Sequence, residues 1–258
     1  MRLGTAVLAG IALAVPAGAH AQIAQAVDAM DRGVVRFSYD ARPGVEICDQ
    51  GVRMGDHHMR WSMRGNEYDA THCRVGVVEV DVRVRDGRVR DVDLTDERDR
   101  DRSVTDLGEV DPVDAADWLL GLAYGDVARD AAKDAILPAM LAEAPESWRG
   151  VLRLAEDTRL EEDLRKDALF WLGQAATDAA LDGLTDVAMD DDEDQEIRNA
   201  AVFALSQRPD DEAVPILMEL AETADEAETR RMAMFWLAQS DDPRVVVFFE
   251  EILLRGTR

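Results

Sequence analysis

The groups in this chain able to do chemistry are two cysteines, four histidines and a large excess of carboxylates. The cysteines are Cys48 and Cys73, and the histidines stand at 20, 57, 58 and 72, so every thiol and imidazole precedes residue 74. An activated nucleophile or a tetrahedral metal site would have to be assembled from that stretch. His57, His58 and His72 would offer metal ligands beside the cysteines, but there is no CxxC or H-x3-H spacing, and His72 abuts Cys73. An even pair of cysteines in an exported chain is expected to form a disulfide, Cys48 to Cys73, with metal ligation and free thiols as the alternatives. Phosphate-cradling glycine loops, G-x-S-x-G and H-E-x-x-H are absent. No catalytic residue, metal ligand or cofactor is assigned, and a non-enzymatic protein is expected.

The carboxylates dominate the electrostatics. Of 258 residues, 54 are Asp or Glu (35 of them Asp) against 29 Lys or Arg, giving a formal charge of −25, and Lys133 and Lys166 are the sole lysines. Nucleic acid and anionic membrane surfaces are excluded as partners, because phosphate contacts need clustered cations. At 47% hydrophobic residues the chain can still bury a core. The acidic run Asp190 to Asp194 echoes the start of a calcium loop, but the sixth position is Gln195 and the twelfth Ala201, so an EF-hand is rejected. Acids before a helix N-terminus are explained by the helix dipole. A weak divalent-cation-binding surface is kept as an alternative.

The N-terminus reads as an address. Arg2 is followed by the apolar run Leu3 to Val15, then Pro16, Gly18 and the small-x-small triplet Ala19-His20-Ala21. That pattern predicts a signal peptide over residues 1–21, cut before Gln22. The run is shorter than the ~20 residues a membrane span needs, so no stable membrane insertion is expected after cleavage. The expected location is the bacterial periplasm or the medium.

Residues 22–105 read as a small β-rich module. After a short helical lead, Ile23 to Met30, Val34 to Tyr39 predicts a strand ended by Arg42-Pro43-Gly44, and Met59 to Met63 alternates as a second. Val78 to Arg85 alternates strictly, Asp86-Gly87 is a two-residue hairpin signal, and Arg88 to Leu94 returns. Apolar parity slips between Val89 and Val92, which predicts a bulge. One face of the hairpin is Val and the other Glu, Asp and Arg, as in a half-buried sheet with cross-strand ion pairs. The charge run Thr95 to Arg102 reads as a solvated linker.

Residues 106–258 carry a repeat. Segments beginning at Arg165, Arg198 and Arg230 share R-x-x-A-x-F-x-L-x-Q at offsets of 33 and 32. The shared positions Ala168, Phe170, Leu172; Ala201, Phe203, Leu205; and Ala233, Phe235, Leu237 are assigned to the repeat core, and Trp171 and Trp236 are expected there too. Gln174, Gln207 and Gln239 end each first helix and are expected to satisfy its orphan carbonyls. Beyond them Leu181, Leu184, Val187 and their equivalents Val214, Leu217, Leu220 and Val246, Phe249, Ile252 step by three along a second helix. A weaker fourth copy places Ala135, Trp148, Val151 and Leu154 earlier, and Asp111-Pro112 caps a preceding helix.

This pattern resembles the HEAT family, in particular the short HEAT-like repeats first named from phycobilisome lyases, over about residues 125–254 with a helical cap near 112–124. The resemblance implies an α-solenoid that holds other proteins. Iron-dependent hydroxylases built on such repeats carry His-Glu pairs; none occurs here, so that activity is not implied, and bilin lyase activity is not expected of an exported chain. The fold class is therefore α+β: a small β-rich module, then a C-terminal α-solenoid of about four HEAT-like hairpins.

Asp186, Glu219 and Glu251 fall twelve residues after each repeated Gln, about 200° around the second helix from its core position at 3.6 residues per turn. They are expected to form an exposed acidic row able to take a basic segment of a partner protein. The expected function is an exported adaptor or scaffold, the alternative to it being a regulator or inhibitor subunit of an exported enzyme. The apolar last helix, Val245 to Leu254, is a candidate dimer surface.

Overall fold

The computed structural model describes residues 18–48, 51–54, 61–62, 73–94, 104–175 and 178–255. The segment 1–17 of the expected signal peptide, His57, His58 and His72, and the whole charge run Thr95 to Arg102 lie outside the described residues.

Alternating apolar residues build the main sheet. Strands β1 (Arg32–Asp40), β6 (Val77–Arg85), β7 (Arg88–Leu94) and β8 (Val104–Glu109) are ordered β7-β6-β1-β8. The expected hairpin is present as β6 and β7, turned by Asp86 and Gly87 at φ 56° and 67°, left-handed values that suit a two-residue turn. The expected bulge is there too: Arg83 pairs with Asp91 but Val84 with Val89, leaving Arg90 as the extra residue. A second sheet, β4-β3-β2-β5, comprises β2 (Val45–Cys48), β3 (Gly51–Met54), β4 (Trp61–Ser62) and β5 (Cys73–Val75). Of the strand expected over Met59 to Met63, only Trp61–Ser62 is described.

One face of the main sheet buries Val35, Phe37, Tyr39, Val78, Val80 and Val82. The other holds ions: Arg36 donates to both oxygens of Asp81 at 2.7 and 2.8 Å, and Arg83 bridges Asp91 and Asp93. The buried face is covered by helices. Helix α1 (Ala19–Asp28) contributes Ile23 and Val27. Helix α2 (Pro112–Gly121) sets Trp118 edge-on to Phe37, centroids 6.1 Å apart. Its start is capped as expected, the Asp111 carboxylate accepting from the amides of Val113 and Asp114 at 3.0 Å, with Pro112 at the first helical position.

The rest is stacked helices. Helices α3 (Arg129–Asp134) and α4 (Ile136–Leu141) form a broken first helix, followed by α5 (Ser147–Glu156). Three regular hairpins follow: α6 (Glu162–Gly173) with α7 (Asp178–Met189), α8 (Gln195–Ser206) with α9 (Asp210–Thr223), and α10 (Ala227–Leu237) with α11 (Pro243–Arg255). Their first helices start 33 and 32 residues apart, the rhythm of the sequence. The sheet and the helices are joined. Tyr39 donates its hydroxyl to the Pro138 carbonyl at 2.8 Å, and the amides of Arg42 and Glu143 donate to the carbonyls of Leu141 and Asp40 at 2.9 and 2.8 Å. Strand β8 straddles residues 105 and 106, and one apolar core runs from Ile23 to Phe248.

Two packing assignments are corrected. Ala168, Leu172, Ala201, Leu205, Ala233 and Leu237 are fully buried, but Phe170 and Phe203 are half-buried and Phe235 is 51% exposed. A step of two residues turns a helix by about 200°, so Phe cannot share the face of the Ala two places before it; the inward partners are Leu169 and Val202 instead. In α11 the buried residues are Val245 and Phe248, whereas Val246 is 62% exposed and Phe249 and Ile252 only partly covered. The last helix has rolled by one residue relative to α7 and α9, whose Leu181, Leu184, Val214 and Leu217 are buried as expected.

Candidate functional site

The repeated Arg is a fastener. Each first helix begins where the preceding second helix leaves carbonyls without partners, and the motif Arg reaches back to them. Arg165 Nε donates to the Ala155 carbonyl at 2.6 Å. Arg198 donates to the carbonyls of Asp190 at 3.0 Å and Asp191 at 3.3 Å, and to that of Glu193. Arg230 donates to the Ala224 and Asp225 carbonyls. The Gln residues do this only through their backbones: Gln174, Gln207 and Gln239 amides close the helix ends on Trp171, Ala204 and Trp236 carbonyls. The Gln174 side-chain nitrogen is buried without a hydrogen-bond partner, and that of Gln207 donates to Ser206 Oγ at 3.2 Å, so the expected side-chain caps are not formed.

These arginines also settle the acidic loop before α8. Both carboxylate oxygens of Glu193 accept from Arg165, a pair with side chains 8% and 3% exposed. Three loop carbonyls are taken by Arg198, and the Asp190 carboxylate accepts the Asp192 amide at 3.0 Å. The Glu193 carboxylate and three loop carbonyls are thus engaged in holding two repeats together. Within the same loop, Asp191 has its carboxyl raised, by desolvation first and then by Asp225 and Glu226 of the next loop.

Cys48 and Cys73 face each other across β2 and β5 and are joined by a disulfide, closing a separation of 25 residues. Glu46 lies beside them, but the bonded sulfurs carry no thiolate for a metal.

Asp186, Glu219 and Glu251 are exposed on α7, α9 and α11. Asp186 lies near enough to Glu156, at the end of α5, to raise its carboxyl further after burial has done so. Glu156 therefore extends the acidic surface toward the first repeat. The 33-residue shift did not find it, because that shift lands on Arg153.

A second feature exists only in the folded chain. Between β7 and helices α3, α4 and α6 lies a groove of about 460 Å³. Leu94, Leu137, Pro138, Phe170 and Trp171 form its apolar wall, and Asp93, Asp130, Asp134, Asp167 and Lys133 its polar rim. Trp171 is buried as expected and stands edge-on to Phe170, centroids 5.1 Å apart; Trp236, at the equivalent place in α10, is only half-buried. Lys133 Nζ is 3.0 Å from Asp167, which raises its ammonium. Asp134 is raised to about 6, by desolvation first and then by Asp91, Asp93 and Asp130. Asp93 is raised by desolvation and Asp91, with Arg83 opposing. A local pattern could not have found this site, since β7 and α3 meet only in the folded chain. The one available signal was Lys133, one of two lysines in an Arg-rich protein.

Among the described residues no helix is long and apolar enough to cross a membrane. No curated protein matches the chain. A family model described as HEAT repeats matches residues 151–238 and 181–257. That span begins in α5 and takes in the three regular hairpins, so this part of the chain is a run of HEAT repeats.

Proposed function

We propose that this protein is an exported, non-enzymatic adaptor that holds a partner protein against its solenoid. HEAT repeats generally mediate protein–protein interaction, and stacked hairpins create an extended surface suited to that use. The observation that carries the reading is the exposed acidic row Asp186, Glu219 and Glu251, which recurs once per repeat and continues to Glu156. Such a row favours a basic segment and speeds its encounter. The repeats contain neither His nor Cys, which supports a binding role over acid–base or thiol chemistry. Export is supported by the N-terminal apolar run and by the Cys48–Cys73 disulfide, a bond that persists in oxidising compartments.

A photo-crosslinking residue at position 223, on the same helix as Glu219, should capture one partner in envelope or medium fractions. The triple variant D186K/E219K/E251K should lose that capture. Unchanged capture by the triple variant overturns the row. Loss of the partner's catalytic turnover on binding would make the adaptor an inhibitor subunit. Recovery of the chain from the periplasm or medium with Gln22 as its first residue supports export, and recovery only from the cytosol with Met1 retained overturns it.

A further inference from the structure

We propose that the groove between β7 and helices α3, α4 and α6 is a second docking site, for a partner's peptide segment that carries a Lys or Arg side chain beside an apolar residue. The occupant's chemistry follows from charge complementarity. Lys133 is engaged by Asp167, and Arg83 is shared by Asp91 and Asp93. Asp130 and Asp134, one helical turn apart on α3, have no ion-pair partner among the described residues. Like charges at that spacing repel, and a cation seated between them relieves the repulsion. The apolar wall beside them fits the methylene stem of a long basic side chain, with Phe170 and Trp171 within reach of a guanidinium.

A peptide is the fitting bearer of that cation. Among the described residues β7 is the edge strand of its sheet; its Val89 carbonyl is taken by the Ala128 amide, and a chain laid in the groove along Val92 to Leu94 meets strand backbone as well as side chains. A bare polyamine would neutralise the acids but leave the apolar wall and the strand edge unused. Binding should weaken on acidification. The groups acting on Asp134 are Asp91 and Asp93 on β7 and Asp130 and Lys133 on α3, with Asp167 of α6 lining the same groove and Arg83 of β6 behind Asp91 and Asp93, and protonating Asp134 removes one of the two unmatched charges.

From the adaptor reading this inference takes only that the partner is a protein, and its site is distinct from the acidic row. The test uses the full chain and a fluorescein-labelled nonapeptide of alternating Arg and Leu, read by anisotropy. D130N/D134N should weaken binding about tenfold or more, while D186K/E219K/E251K leaves it within about twofold. A pH drop from 7.5 to 5 should weaken the parent but not D130N/D134N. A benzophenone in the peptide should crosslink the unsubstituted chain on β7, α3 or α6, which decides the matter even where a variant folds poorly. Four results overturn the proposal: equal weakening by both variants, no weakening by D130N/D134N, crosslinks confined to α7, α9 and α11, or spermidine binding as tightly as the peptide. The adaptor reading survives any of these if the acidic row still captures its partner.

Discussion

The two ends of the solenoid are built from the same motif and live in different surroundings. At the near end, Trp171 is buried and Phe170 half-buried, with β7, α3 and α4 beside them across the groove. At the far end, Trp236 is half-buried and Phe235 is 51% exposed. The final helix leaves Val246, Val247, Leu253 and Leu254 exposed. Each repeat is stabilised by its own packing and by its neighbours. The near end has the sheet and α2 as a cap, whereas the outer face of α11, with Val246, Val247 and Leu253, is exposed. Repeated residues therefore mark equivalent positions, and their energies depend on how much of the array lies on either side.

The sharpest way to break this comparison is through the motif arginines. Arg165 is buried, holds the Ala155 carbonyl and pairs with both oxygens of Glu193. Arg165→Ala would leave a buried carboxylate without its cation, and removing one partner of a buried pair costs about 3–5 kcal/mol. Arg230→Ala removes two carbonyl contacts from a partly exposed site and should cost about 1 kcal/mol. Chemical denaturation of the two variants checks the ranking. Equal losses would mean that the two ends are energetically alike.

The next effect tests the cap itself. The Cys48–Cys73 bond closes 25 residues within the sheet that contains β2 and β5. Replacing both cysteines by Ala should destabilise the sheet half by ~3 kcal/mol in the chain-entropy model. Hydrogen exchange should then quicken in β2 and β5 and in α1–α4, and stay unchanged in α8–α11. Uniform quickening would show that cap and far end unfold as one unit.

The near and far ends also differ in how legible they were. The hairpins of 162–255 were readable because the information is local: an Arg, an Ala and a Leu at helical spacing recur every 32 or 33 residues. The β6–β7 hairpin was readable for the same reason, Asp86-Gly87 and the parity slip after Val89 being features of one short segment. The parallel pairing of β1 with β8 was not, since Val34 and Val104 meet only through the tertiary fold. Nor was the groove, whose acids come from β7, α3 and α6. The Phe positions lie off the core because recurrence in sequence does not make a residue inward-facing, and Ala168 and Phe170 lie on opposite sides of α6. Nor was the roll of α11 readable, because which of its residues turn inward is set by packing between helices and not by the repeat pattern. The exposure of Asp186, Glu219 and Glu251, by contrast, followed from spacing alone.

A smaller effect separates the ends by pH. The Asp134 carboxyl is raised from 3.8 to about 6 by desolvation and its acidic neighbours. Its contribution to stability is therefore full below pH ~4 and is lost as pH rises through about 6. Asp134→Asn removes the ionisation, so it should leave stability at pH 4 unchanged and raise it at pH 7.5. The gain should stay below about 1 kcal/mol, because the residue is exposed and solvent screens the repulsion. Melting curves at the two pH values check this, and a variant less stable than the parent at pH 7.5 would mean that the Asp134 carboxylate makes a favourable contact.

The smallest effect belongs to the open end. Leu253 is 71% exposed and Leu254 68% exposed, so little apolar area is withdrawn from water at either position when the chain folds. Leu253→Gln should change monomer stability by no more than about 0.5 kcal/mol, the range of ordinary surface substitutions. Leu172→Ala, at a fully buried position in α6, should cost about 2–5 kcal/mol. The contrast holds only while α11 stays uncovered. If two copies pack through their last helices, Leu253→Gln would destabilise the pair at high protein concentration and have no effect at low concentration, because association couples stability to mass action. Melting Leu253→Gln and the parent across a hundredfold concentration range distinguishes the two. A concentration-independent difference near zero leaves the far end open, and a difference that grows with concentration closes it with a second copy.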